Sequence, residues 1–196
     1  MVIHWEPVGD GRVLAVSDDH RFGTDTVILS YFAAPQTAGE AVCDLGTGCG
    51  CIPFLLLNQP VAPRRILGVD KQPDAIMLCR LSADKNELHG LLQFAEADWC
   101  FPKSIAAAGS FDRVICNPPY FQDDSGRKSS NAAHAAALQH KACPLHDKRF
   151  LSTLGCVHYS TGRQGGSSGK IRIRAQPQRD ILPAQISIDS RLVQGS

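Results

Sequence analysis

Apolar and polar positions alternate at the start of the chain, then fall into a repeating strand-and-helix rhythm, and finally lose both periods. Residues 3–7 and 13–16 read as two short strands, with Gly9-Asp10-Gly11 as the hairpin turn between them. Thr24 or Asp25 can cap a helix that runs through Val27-Ile28-Leu29 to about Ala34 and stops before Pro35. Residues 41–45 form a short apolar strand. A glycine loop follows, then a helix from about Cys51 to Asn58, with Pro53 in the first turn where its missing N–H costs nothing. Residues 65–70 are the next strand and 73–86 the next helix, with Ala75, Ile76, Leu78, Cys79 and Leu81 apolar. Residues 91–96 and 111–116 are two more strands. Strands alternating with helices predict an α/β fold, a parallel sheet with helices on both faces. After Tyr120 come a polar loop over 122–131 and an alanine-rich helix over about 132–140. Beyond Pro144 only Ile171-Arg172-Ile173-Arg174 and Gln185-Ile186-Ser187-Ile188 alternate like strands.

The 196 residues are enough for one domain with a sizeable core. No apolar run reaches the roughly 18 residues of a membrane span, and the N-terminus lacks the pattern of a secretion signal. A cytoplasmic location is therefore expected. The eight cysteines form no Cys-x-x-Cys pair, and Cys49-x-Cys51 is too close for usual zinc spacing. They read as small buried thiols, with no metal site and no disulfide framework. The net charge of +1 conceals an asymmetry. Residues 1–143 hold 12 Lys+Arg against 16 Asp+Glu, whereas residues 144–196 hold 8 against 3. A basic tail can contact phosphate or can be a solvated end.

Four strings carry candidate chemistry. Asp44-Leu45-Gly46-Thr47-Gly48-Cys49-Gly50 places alternating glycines between a strand and a helix. Gly46, Gly48 and Gly50 let backbone approach a ligand without a Cβ, although a plain turn would look the same. The dinucleotide fingerprint is Gly-x-Gly-x-x-Gly, and this is Gly-x-Gly-x-Gly. Asp70 ends a strand 24 residues past Gly46, where an acid accepts from both ribose hydroxyls or caps the following helix. Asp98 follows the next strand and can accept from an adenine amine, or can be an exposed loop acid. Asn117-Pro118-Pro119-Tyr120-Phe121 follows the fourth strand of the rhythm. The prolines stiffen the backbone and leave carbonyls free to accept. The Asn117 side-chain oxygen and the Pro118 carbonyl can take both protons of an exocyclic NH2, freeing its lone pair for attack on an activated methyl. This is positioning and electrostatic preorganisation. Tyr120 offers a stacking face worth about 1–3 kcal/mol. A rigid turn is the alternative reading.

Taken in order, these strings resemble the class I methyltransferases that act on amino nitrogens, over about residues 10–143. Several families share them: adenine-N6 enzymes, rRNA guanine-N2 enzymes and release-factor glutamine enzymes. His20-Arg21-Phe22-Gly23-Thr24-Asp25-Thr26-Val27-Ile28-Leu29 resembles a segment of the bacterial tRNA1(Val) adenine-N6 methyltransferase family, and Ser125-Gly126-Arg127 adds to the likeness. A capped amphipathic helix is the other reading of residues 20–29. The resemblance implies a Rossmann-like class I methyltransferase fold. It implies S-adenosyl-L-methionine as cofactor, near Phe22, Thr24, Asp25, Asp44, Gly46, Gly48, Gly50, Asp70, Asp98 and Asn117. Asn117, Pro118 and Tyr120 would be catalytic, and Pro119, Tyr120, Phe121 and Arg127 would meet the substrate. The implied substrate is an anticodon-loop adenine of a valine tRNA, a base that must leave its stack. No membrane or metal partner is expected, and the protein is expected to be a monomer.

Residues 1–40 are expected to border the cofactor pocket, 41–143 to form the core, and 144–196 to be an atypical, poorly ordered basic tail. The resembled families continue with a helix, a strand, a Pro-Gly-Gly turn and a closing antiparallel hairpin, none of which is evident here. The C-terminal strands are thus expected to be missing or replaced, with the fold ending near residue 143. An altered reading frame or truncation is placed first among the accounts of the tail. A hairpin through 171–174 and 185–188, or a basic RNA-contacting arm, are the others. The alternatives to adenine transfer are a release-factor glutamine or rRNA guanine substrate, or a protein that binds cofactor or RNA without turnover. A nicotinamide oxidoreductase is disfavoured by the glycine spacing.

Overall fold

The computed structural model describes residues 1–35, 37–98, 101, 105–107, 110–117, 157–163, 170–176 and 185–189. A hairpin of β1 (His4–Gly9) and β2 (Arg12–Val16) leads into α1 (Thr24–Phe32). The parallel core follows as β3 (Ala41–Leu45), α2 (Cys51–Leu57), β4 (Arg65–Asp70), α3 (Pro73–Lys85), β5 (Leu92–Glu96) and β6 (Arg113–Cys116). These bounds lie within two residues of the expected ones. Among the described residues, no helix is long and apolar enough to cross a membrane.

Past residue 143, where no convincing buried strand was expected, the structure adds β7 (Val157–Arg163), β8 (Lys170–Gln176) and β9 (Gln185–Asp189). The sheet has the order β5-β4-β3-β6-β7-β8-β9. β7 pairs parallel with β6, and β8 and β9 close the sheet antiparallel. The expectation of missing C-terminal strands is corrected on this point. Of the three accounts of the tail, the hairpin is the one whose register appears: Ile171 stands opposite Ile188 and Arg174 opposite Gln185. β7 escaped notice because its alternation is confined to Val157-His158-Tyr159-Ser160 and the rest of the segment is polar. Its pairing follows from the row of backbone donors and acceptors that β6 presents, a demand set by the neighbouring strand. The expected helix over 132–140 lies outside the described residues.

The central strands β3, β4 and β6 are buried on both faces, as parallel strands usually are. Val42, Ile66 and Ile115 join one cluster with the hairpin, α1 and α2. Ala41, Cys43, Leu45, Val69, Val114 and Cys116 join the other. The helical covering expected on both faces is described for the first, and among the described residues the second is closed by Phe111, Ile105 and Ala106.

Polar side chains tie the hairpin to the helices. The Ala15 N–H donates to Ser82 Oγ at 2.8 Å, and the Ser82 hydroxyl donates to the Leu78 carbonyl at 2.8 Å. Asn86 acts like a strand partner, accepting from Val13 N–H at 3.1 Å and donating to the Val13 carbonyl at 2.7 Å. On the other side, Asn58 donates to the Val8 carbonyl and accepts from Arg12. Ser82→Ala orphans the buried Ala15 N–H, so a loss of about 1–3 kcal/mol in chemical unfolding is expected. An unchanged denaturation midpoint would contradict this attachment.

Candidate functional site

The strand order reverses between β3 and β6, and open α/β sheets bind ligands at such a point, beyond the C-terminal strand ends. Here Asp98, Asp70, the glycine loop and Asn117 follow the adjacent strands β5, β4, β3 and β6. The expected residues are therefore brought to one edge by topology alone.

The loop after β3 bends through glycines with φ +72° at Gly46, +56° at Gly48 and +87° at Gly50. An added Cβ at Gly46 or Gly48 would meet nothing within 4 Å, so open space lies against this backbone. At Gly50 a Cβ would stand 3.0 Å from Cys79 Sγ. The loop's N–H groups are largely spent inside the protein. Gly46 and Thr47 donate to the Val69 carbonyl at 2.8 and 3.0 Å, Gly48 to Asp70 Oδ2 at 3.0 Å, and Gly50 to the Thr47 carbonyl at 2.9 Å. A phosphate cradle needs such donors aimed at the ligand. This loop instead offers a smooth, close surface suited to a cofactor without phosphate.

Asp70 is buried and gives one oxygen to each side. Oδ1 accepts from Gln72 N–H at 3.0 Å and Oδ2 from Gly48 N–H. Gln72, not Asp70, is the cap of α3, which corrects the helix-cap alternative. Since a carboxylate offers about four acceptor sites, Asp70 retains capacity for ribose hydroxyls. Asp98 lies half-buried beyond β5.

Asp44 is fully buried in β3. Its Oδ2 accepts from the Thr47 hydroxyl at 2.7 Å, while Oδ1 is buried with no hydrogen-bond partner among the described residues. Burial pushes its pKa from 3.8 to about 7, against the Thr47 hydrogen bond and with a small addition from the Asp70 charge. An orphaned buried carboxylate oxygen calls for an explanation, and a bound donor or cation would supply one. The neighbouring thiols are poor candidates for chemistry. Burial pushes the Cys49 thiol up to about 12 and raises Cys51 and Cys79 as well, so all three keep their protons. Cys79 uses its own to donate to the Gly48 carbonyl at 3.1 Å.

Asn117 begins where β6 ends. Its Nδ2 donates to Thr26 Oγ1 at 2.9 Å and to Asp25 Oδ2 at 3.2 Å. The N-cap of α1 is Gly23, so Thr24 and Asp25 are the first helical residues and not its caps. Thr24 is exposed, and Phe22 rests on the first core cluster. Thr26 was not singled out from sequence, because nothing local signals a partner 91 positions away. Thr47 was missed for a different reason: it reads as a loop filler between glycines. Pro118, Pro119, Tyr120, Phe121 and Arg127 lie outside the described residues.

Comparisons with known proteins point the same way as this geometry. The methyltransferase small domain family matches residues 20–143. A release factor glutamine methyltransferase of Rhodospirillum rubrum is 37% identical over 134 residues, 68% of this chain and 37% of that protein. A tRNA1(Val) (adenine(37)-N6)-methyltransferase of Proteus mirabilis is 30% identical over 102 residues, 52% of this chain and 40% of that one. The Shewanella baltica (strain OS185) protein of the same name is 27% identical over 149 residues, 74% and 58% of the two. The chain thus spans 37% to 58% of the length of these relatives. In fold it is similar to the Pyrococcus horikoshii protein TYW2 solved with MeSAdo, with a TM-score of 0.54 at 11% identity over 82% of this chain and 52% of that one.

Proposed function

Because the chain belongs to the methyltransferase small domain family, we propose that it transfers a methyl group from S-adenosyl-L-methionine to the exocyclic N6 of an adenine in tRNA. The observation that carries the reading is Asn117 at the end of β6, its amide nitrogen bound to α1, beside an open glycine loop whose N–H groups are largely used. Bound S-adenosylmethionine supplies a methyl group activated by its sulfonium. Asp70 accepts from its ribose, Asp98 from its adenine amine, and the buried Asp44 oxygen from its ammonium. Gly46 and Gly48 leave room for its body. On the substrate side, the Asn117 oxygen accepts one proton of the target NH2 and the Pro118 carbonyl the other, while Tyr120 stacks on the base. Residues 20–29 favour adenine, and the work would take place in the cytoplasm on a monomer. The spent loop donors argue against a nicotinamide dinucleotide, whose pyrophosphate needs them.

The second reading, transfer to a glutamine amide, is favoured by the 37% identical relative. Labelled S-adenosylmethionine offered with bulk tRNA and with release factor separates the two. N6-methyladenosine in tRNA is expected. Label in protein glutamine would replace the first reading by the second, and cofactor binding without transfer to either would overturn both. Asn117→Ala is expected to lower kcat about 10²–10³-fold, the usual cost of removing one preorganised hydrogen-bonding group.

A further inference from the structure

We propose that Gly23, Asp25 and Thr26 form an orientation lock for the Asn117 carboxamide, which makes Asp25 and Thr26 positioning residues for methyl transfer. The proposal rests on the function above for its consequence, though not for its geometry.

A carboxamide has a donor end and an acceptor end, and the two are nearly equal in size. Turned one way, Asn117 shows its oxygen to a ligand; turned the other way, it shows its NH2. The proposed transfer needs the oxygen, because the target nitrogen brings protons of its own. The partners on α1 decide the matter. Asn117 Nδ2 stands 3.2 Å from Asp25 Oδ2 and 2.9 Å from Thr26 Oγ1. A carboxylate only accepts, whereas a hydroxyl donates or accepts. Flipping the amide would set Asn117 Oδ1 against Asp25 Oδ2, acceptor against acceptor. Thr26 would tolerate either orientation. Asp25 therefore chooses, and Thr26 holds.

Gly23 keeps the lock open. Its backbone is ordinary, with φ −117° and ψ 176°, so no strain demands glycine there. Space does: a Cβ on Gly23 would stand 2.7 Å from Asp25 Oδ1. The Asp25 carboxylate ends a flexible side chain, so it, and not the backbone, is what gives way. Swinging away would loosen its hold on Asn117. A substitution at an exposed glycine is thus expected to act on the reaction more than on stability.

The test uses the whole chain with Gly23→Ala, Asp25→Asn, Thr26→Val and Thr26→Ser. In steady state with S-adenosylmethionine and tRNA, Gly23→Ala and Asp25→Asn are expected to lower kcat about ten- to hundredfold, the range for a slightly misplaced group. KM for S-adenosylmethionine should stay near wild type. Thr26→Ser should keep the wild-type kcat and Thr26→Val should not. For Gly23→Ala the Tm is expected to stay within about 4 °C of wild type. A second readout needs no substrate. In 15N-asparagine-labelled protein the Asn117 NH2 signal is identified by its loss in Asn117→Ala. Its protons should exchange slowly in wild type and faster in Gly23→Ala and Asp25→Asn. If wild type methylates neither substrate, the functional reading fails while the exchange measurement still decides the lock. Equal exchange in wild type and Gly23→Ala would overturn the lock. So would a raised KM for S-adenosylmethionine with kcat intact, which would assign Asp25 to the cofactor.

Discussion

Asp44→Asn is expected to make the unliganded protein progressively more stable than wild type as pH rises, while removing its affinity for S-adenosylmethionine. Asp44 has one oxygen on Thr47 and one buried oxygen with no partner among the described residues, and burial lifts its pKa from 3.8 to about 7. Below pH 3.8 the carboxyl is protonated whether the chain is folded or not, and it affects stability little. Between 3.8 and about 7 the unfolded chain has released the proton that the folded chain still holds. Folding then takes up a proton, so stability falls as pH rises, and the fall levels off above about 7. The gap between 3.8 and about 7 corresponds to roughly 4 kcal/mol in total. That is a large part of the 5–15 kcal/mol by which domains are usually stable, as order-of-magnitude values go. Asparagine has no charge to bury. Its own unpartnered NH2 adds a roughly constant penalty, so the diagnostic quantity is the change with pH. Urea unfolding of both proteins at pH 4, 6 and 8 measures it. The variant-minus-wild-type difference should grow by up to about 4 kcal/mol from pH 4 to pH 8. A difference flat with pH would remove Asp44 from this role. At pH 8, saturating S-adenosylmethionine should raise the Tm of wild type and leave that of Asp44→Asn unmoved, since only a binding ligand stabilises.

Glu40→Ala is expected to cost about 3–5 kcal/mol of stability, because it leaves a buried guanidinium without its carboxylate. Arg113 opens β6 with its side chain 5% exposed. Its Nε and Nη2 both donate to Glu40 Oε2 at 2.8 Å. Glu40 Oε1 accepts from the Thr37 N–H and hydroxyl at 3.0 and 3.1 Å. The pair therefore fixes the start of the strand that carries Asn117 to the segment entering β3. A lower urea midpoint with an unchanged slope is the expected signature. The double variant Glu40→Leu/Arg113→Met should recover much of the loss, because two apolar side chains leave no charge to strand. A double variant less stable than the single one would show that the guanidinium is needed for its other contacts.

Much of the site is legible in one dimension, and the reason is local. The glycines at 46, 48 and 50 and the acid at 70 sit at strand ends, and strand ends are marked by where apolar runs stop. The core strands 41–45 and 65–70 were readable because buried parallel strands are continuous apolar runs. The same logic failed for β7, whose Val157–Arg163 segment carries no apolar run and alternates only over its first four residues, and which pairs with β6 beside it. It failed again at the start of α1, where Thr24 and Asp25 look like caps and Gly23 is the cap.

By itself, the sequence determined the order of elements from β1 to β6, the sheet class and a set of candidate residues at the strand ends, because each depends on periods of two or 3.6 and on side-chain chemistry within a few positions. Only the tertiary structure decided which of them touch. Asp70 reaching Gly48, Asn117 reaching Asp25 and Thr26, and Ser82 reaching Ala15 are contacts across 22 to 92 positions. Such contacts exist only once strand order and helix packing have been set by burial of the whole core. Asn117-Pro118-Pro119-Tyr120 is the string on which the proposed nitrogen methylation rests in sequence, and the proposed orientation of the Asn117 amide is a property of the fold.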